Sequence, residues 1–295
     1  MLEEEGKDID PTDGKLRRNI EARLQFIEFR LFWEGHINRG DLCKQFGVSV
    51  PQASADLSRY QDSAPGNLIY DKSAKSYVAG NEFRPVFIQP SADAYLASLR
   101  LHSLGILPDE QSWILNRPAF AVMPILRRKL DPSTLRAILR AIRNRLSLHV
   151  LYQTISQPEP KWRWISPHAL GFDGSRWHCR SWCHEKADFR DFLFARILEI
   201  REERPSIACP ENDHAWHQEV VLRIVPHERI TGGAREAIEL DFGMVNGVLE
   251  IRTRKCMAPY FERSLGLDLN PDHLPPARQQ IVLLSKHDAQ TNPPG

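Results

Sequence analysis

Apolar positions change their spacing several times along the chain, and each change marks an element. From Lys15 onward, Leu16, Ile20, Leu24, Ile27 and Leu31 follow steps of four, four, three and four, which is the stripe of one amphipathic helix. Residues 39–60 then read as two shorter helices. Arg39–Phe46 stops at Gly47, a suitable residue for a left-handed helix end. Ser49 caps the next, Pro51 sits in its first turn, and Ala53, Leu57 and Tyr60 form its inward stripe. Asn67–Val78 alternates as strand, turn, strand. A helix pair followed by a hairpin is the order of a winged helix–turn–helix, with the second helix as the reader of DNA. Residues 80–146 are broken by Pro85, Pro90, Pro108, Pro118 and Pro124. Helices are expected there over Ser91–Leu104 and from Asp131, the latter with a stripe at Leu135, Ile138, Leu139, Ile142 and Leu146 and a basic face of Arg136, Arg140, Arg143 and Arg145.

From His149 the period shortens to two. Strands are expected at His149–Ile155, Trp162–Leu170, Arg176–Cys183 and Phe189–Ile197, with the Gly171–Gly174 turn as a tight hairpin. After Pro205 come strands at His217–Val225, Val248–Lys255 and Ala277–Leu284, with a helix across His227–Leu240. Residues 1–14 are acidic and aperiodic, as a tail is.

Composition narrows the function classes. The 39 Lys and Arg against 38 Asp and Glu leave a net charge of +1, so any nucleic-acid site must be a local patch. No apolar run approaches the ~20 residues of a membrane span, and no secretory leader is visible. Five cysteines without a Cys-x-x-Cys pair point to free thiols in a reducing cytoplasm. His178, Cys179, Cys183 and His184 resemble a metal set, but alternation sends His178 and Cys179 to opposite faces, so no metal or other cofactor is expected.

Two groups of residues carry candidate chemistry. On the front end, Arg17, Arg18, Ser49, Gln52, Ser54, Ser58 and Arg59 are the candidates for DNA contact, with Lys72 and Lys75 at the hairpin tip. Gln52 either closes a capping box with Ser49 or reads adenine; Arg59 reads guanine, meets phosphate or is solvated. In the strand-rich region, Ser166, His168, His178, Arg180, Arg190 and Arg196 are expected to share one concavity. Arg forks match phosphate oxygens, and the interleaved Trp177, Trp182, Phe192 and Phe194 suit stacking, so the expected ligand is an anionic nucleotide or nucleic-acid-derived effector. The competing reading is an ordinary solvated sheet face.

The runs Ser166-Pro167-His168, Trp177-His178-x-Arg180 and Phe189-Arg190-Asp191-Phe192 resemble a WYL domain, a small Sm-like barrel. His178 and Cys179 stand where the Tyr and Leu of that name would be. The runs are similar to the WYL regulators of bacterial phage-defence operons, the BREX-type, BrxR- and CapW-like repressors. The resemblance implies an α+β multidomain chain: tail 1–14, winged helix–turn–helix 15–80, helical connector 81–146, Sm/SH3-like WYL barrel 147–205 and C-terminal α/β dimerisation extension 206–295. It implies a homodimeric repressor that binds double-stranded operator DNA and is released by its effector, with Tyr152 at the border of the effector pocket and no enzymatic activity. The alternatives are a nucleotide-processing enzyme using His168 or His178, or a module whose helix pair docks a protein.

Overall fold

The computed structural model of the chain describes residues 11–124, 126, 128 and 130–289. The chain divides into two compact units at Pro124. The helix expected from Lys15 starts earlier, at Pro11, and the rest of the expected tail lies outside the described residues.

The first unit runs α1 (Pro11–Glu34), β1 (His36–Ile37), α2 (Arg39–Phe46), α3 (Val50–Ser63), β2 (Leu68–Asp71), β3 (Ser76–Ala79) and α4 (Ala92–Ser103). Asn38 caps α2 in a full capping box with Asp41, and Gly47 ends it at φ 65°. β1, β3 and β2 form a small antiparallel sheet in that order, the wing. Gly80 lets the chain re-enter beside Gly66, whose carbonyl oxygen would lie 1.8 Å from any added Cβ. Leu24, Phe26, Ile27 and Leu31 of α1 pack with Leu42, Ala53, Leu57 and Tyr60. Full burial of a residue such as Leu57 stabilises the unit by about 2 kcal/mol.

Charged residues also lie in this core. Arg23 of α1 is buried and bonds Asp56 of α3 at 2.6 and 3.2 Å. Glu28, fully buried, accepts the N–H groups of Val86, Phe87 and Ile88 at 2.6–2.9 Å and the hydroxyl of Tyr60 at 2.9 Å. One carboxylate therefore ties α3 to the segment that follows the wing.

In the second unit, α5 (Pro132–Asn144) leads into β4 (Leu146–Tyr152), β5 (Lys161–Phe172), β6 (Trp177–Cys183), β7 (Asp188–Leu193) and β8 (Ile197–Pro205). The expected connector is thus divided, α4 lying in the first unit and α5 in the second. The sheet is antiparallel in the order β7-β6-β5-β4-β8. β7 and β8 hold its two edges yet are joined by only Phe194–Arg196, a 3-10 turn. Three residues span about 10 Å at most, so the sheet must roll until its edges approach, which makes the barrel. Ile138 and Ala141 of α5 fill it against Leu148, Val150, Ile165, Cys179 and Phe192. Leu139, expected on the inward stripe, is 40% exposed.

The chain continues through α6 (His214–His217), β9 (Glu219–Pro226), α7 (Gly232–Asp241), β10 (Leu249–Arg254), α8 (Ala258–Ser264) and β11 (Ile281–Asp288). β9 is the middle strand of a three-stranded sheet, with β10 and β11 on either side. α7 and α8 supply Ile238 and Phe261 to its core.

Candidate functional site

The helix expected to read DNA, α3, keeps its outer face open. Ala53, Asp56, Leu57 and Tyr60 are its buried stripe. Pro51, Gln52, Ala55, Ser58 and Arg59 are exposed, and Ser54 is half-buried. Ser49 is the N-cap, its hydroxyl accepting the Gln52 N–H at 3.4 Å. The Gln52 side chain does not return to close the box: its amide donates to Asp56 Oδ1 at 3.1 Å, one helical turn on. Lys72 and Lys75 are exposed in the wing turn, where Asp71 Oδ1 accepts the Ser73 and Ala74 N–H groups at 2.7 and 3.0 Å. Arg17 and Arg18 are exposed on α1.

The barrel site departs from expectation. Alternation on β6 does place His178, Arg180 and Trp182 on one face, with Cys179, Ser181 and Cys183 on the other. Register then decides the neighbours. Arg180 pairs with Asp191, so Asp191 shares its face and Arg190, one residue earlier, goes to the other. Arg190 is exposed, and among the described residues its ion pair is with Asp188, at 3.6 Å. Arg196 lies in the 3-10 turn, where strand alternation has ended, and among the described residues its guanidinium has no hydrogen bond or ion pair. The expected convergence of three guanidiniums therefore fails. Tyr152 fails as a pocket border too: it is buried, its ring meets Phe192 edge-on at 5.0 Å, and its hydroxyl accepts the Leu193 N–H at 3.1 Å.

The residues that do come together are held by carboxylates no local pattern announced. Asp213, buried ahead of α6, accepts Arg180 Nε and Nη2 at 2.7 and 2.9 Å and His168 Nε2 at 2.9 Å. Arg180 also reaches Asp191 at 3.3 Å, and Asp191 accepts the Tyr260 hydroxyl of α8 at 3.0 Å. His178 bonds Asp173 at 2.9 Å, its ring 4.8 Å from that of Tyr260. Ser166 is buried between Ser147 at 2.7 Å and His184 at 2.8 Å. Beside them lies a cavity of about 200 Å³, lined by Ser166, His168, Phe189, Arg145, Ser206 and Glu211 among others. One arginine facing two carboxylates leaves no net positive charge. The guanidinium's Nε and Nη2 are both already taken by Asp213.

Comparison with known proteins agrees with this architecture. Residues 19–101 match the BrxR transcriptional regulator winged helix-turn-helix domain, residues 133–202 the WYL domain, and residues 219–289 the BrxR transcriptional regulator C-terminal dimerization domain. The DNA-binding transcriptional repressor CapW of Stenotrophomonas maltophilia is 41% identical over 273 residues, covering 92% of this chain and 91% of the relative. The repressor of the same name from Escherichia coli is 37% identical over 288 residues, 96% of each chain. That from Pseudomonas aeruginosa is 36% identical over 267 residues, covering 90% of this chain and 89% of the relative.

The chain belongs to the BrxR/CapW family of transcriptional regulators. The Asp213 cluster then joins the WYL barrel to the dimerization domain, since Tyr260 lies in the latter and Asp213 in the segment leading to it.

The cluster is also acid-sensitive. Burial holds the His168 imidazole below its usual range; Asp213 pulls the other way, and Arg180 and His217 add to the drop. Burial, with Arg204, depresses His184 likewise. Burial alone would raise the Asp213 carboxyl, but Arg180 and His168 hold it below the usual range. Both imidazoles are thus still neutral in the folded WYL domain when the unfolded chain begins to take up protons. Stability therefore falls as pH drops through the ordinary imidazole value of 6.5. Asp213 adds a further loss below 3.8. Urea midpoints taken from about pH 7.5 to about 5.5 should fall, and His168→Gln should shrink that fall. An unchanged fall in the variant would place the sensitivity elsewhere.

Proposed function

We propose that this chain is a DNA-binding transcriptional repressor. It acts in the cytoplasm as a homodimer, silences an operon of phage defence that includes its own gene, and is released by an anionic, nucleic-acid-derived effector. The observation that carries the DNA half is the open outer face of α3, polar or small at Gln52, Ala55, Ser58 and Arg59, in a winged helix of the BrxR type. A two-fold dimer sets two such helices in successive major grooves, about 34–36 Å apart. Phosphate contacts supply much of the affinity, which then falls steeply with salt.

The sensing half rests on Arg180 and His168. Asp213 offers them two oxygens in the manner of a phosphate or carboxylate, so an anionic effector competes for the same bonds. The adjoining cavity, about 200 Å³, is smaller than a usual small-molecule pocket. It suits the phosphate end of a nucleotide or of a nucleic-acid strand rather than a whole oligonucleotide. Because Asp213 leads into the dimerization domain, its displacement repositions that domain and shifts the dimer away from its DNA-competent arrangement.

A gel shift with the duplex upstream of the chain's own gene tests the proposal. Wild-type protein should retard it at concentrations that leave an unrelated duplex free. Arg59→Ala should lose about 1–3 kcal/mol of that preference if Arg59 reads a base, and should weaken both duplexes alike if it meets phosphate. Equal retardation of both duplexes by the wild type would remove the claim to an operator.

A further inference from the structure

We infer that the cleft between the start of α2 and the wing is a phosphate clamp built from Arg39, Tyr77 and Lys75. This rests on the DNA-binding reading and adds to it a site that periodicity along the chain did not reveal. The cleft, about 730 Å³, is lined by His36, Arg39, Gly40, Lys75, Ser76 and Tyr77, among others.

Three observations make it more than a surface hollow. First, its cations are uncompensated: neither Arg39 nor Lys75 makes an ion pair with any described carboxylate. The nearby acids are already engaged. Asp41 Oδ2 accepts the Asn38 N–H at 2.9 Å and faces Arg30, and Asp71 holds the wing turn. Second, the guanidinium is positioned although exposed. Arg39 Nη2 donates to the Tyr77 hydroxyl at 3.0 Å, and its carbon lies 5.6 Å from the centroid of that ring. An unanchored arginine would lose side-chain entropy on meeting a phosphate; this one has already been ordered. Third, the Tyr77 hydroxyl accepts from Arg39 and keeps its own proton to donate. An oxyanion in the cleft thus meets a guanidinium, a hydroxyl donor and an ammonium.

The first helix of such a motif crosses the sugar–phosphate backbone while the second enters the groove. Arg39 opens α2 and Lys75 closes the wing turn, so one phosphodiester gripped here fixes the wing and the helix pair on the same strand. Gly40 leaves room for the cap, because a Cβ there would come within 2.9 Å of the Asn38 oxygen that caps α2.

The test uses the full chain, the duplex upstream of its gene and an unrelated duplex of equal length. Affinity for each is measured against salt concentration for wild type, Arg39→Ala, Arg39→Lys and Tyr77→Phe. Arg39→Ala should weaken both duplexes by the same factor and lower the slope of log affinity against log salt by about 1. Arg39→Lys should restore the slope, and Tyr77→Phe should keep it while weakening binding a few-fold. Thermal melts confirm folding, and Tyr77→Phe reads out the clamp with the charge intact. A wild-type slope in folded Arg39→Ala, or a loss confined to the upstream duplex, would overturn the clamp alone. Failure of the wild type to bind either duplex would overturn the DNA-binding reading itself.

Discussion

Asp213→Ala should lower the stability of the C-terminal unit by about 3–5 kcal/mol, the usual cost of leaving one member of a buried ion pair without its partner. Arg180 would keep only the 3.3 Å contact with Asp191, and His168 would lose its acceptor. The cost arises mainly from the stranded charge, so a paired replacement, Arg180→Met with Asp213→Leu, should recover most of it. Urea melts of the three proteins check both statements. Asp213→Asn separates the lock from the fold, since it keeps an acceptor oxygen and removes the competing charge. Its Arg180 should take up inorganic phosphate more tightly than the wild type does, and its upstream-duplex complex should be weaker without any effector. An Asp213→Asn protein that binds phosphate and DNA as the wild type does would count against displacement of Asp213 as the release step.

Glu28→Ala should be the most damaging single change in the first unit. It removes the acceptor for the Val86, Phe87 and Ile88 N–H groups and for the Tyr60 hydroxyl at once. Each buried donor left without a partner costs about 1–3 kcal/mol, so a loss of about 3 kcal/mol or more is expected. Glu28→Gln should rescue part of the loss: its amide oxygen can still accept the Phe87 and Ile88 N–H groups, while its NH2 replaces the acceptor of the Tyr60 proton with a donor. Because Tyr60 belongs to α3, both variants should also weaken retardation of the upstream duplex at temperatures where the protein is still folded. Thermal melts and gel shifts on the same preparations decide this. A melt within about 0.5 kcal/mol of wild type would show that water replaces the carboxylate freely.

The helix–turn–helix was legible because its signals are local. Asn38, Gly47 and Ser49 act on backbone within three or four residues of themselves, and the observed bounds of α2 match the expected Arg39–Phe46. The barrel was legible as strands because apolar alternation reports a buried face. The single reading Phe189–Ile197 nevertheless covered two elements, β7 and a 3-10 turn, and it carried Arg196 onto a face where that residue does not lie. Asp173 lay close enough in sequence to His178 to be found. Asp191 alternates against Arg190 along β7, and only the register between strands shows that Asp191 is the residue opposite Arg180.

The sequence by itself determined the order of domains, the caps and the helix–turn–helix, since these depend on spacing along one segment. Only the tertiary structure decided which charges are exposed. Arg23 of α1 is neutralised by Asp56 of α3, which only folding brings to it, and Arg180 looked like an open anion site until Asp213, thirty-three residues away, filled it. A buried charge is tolerable only beside an opposite one, and that partner is supplied by folding, from positions that periodicity does not connect.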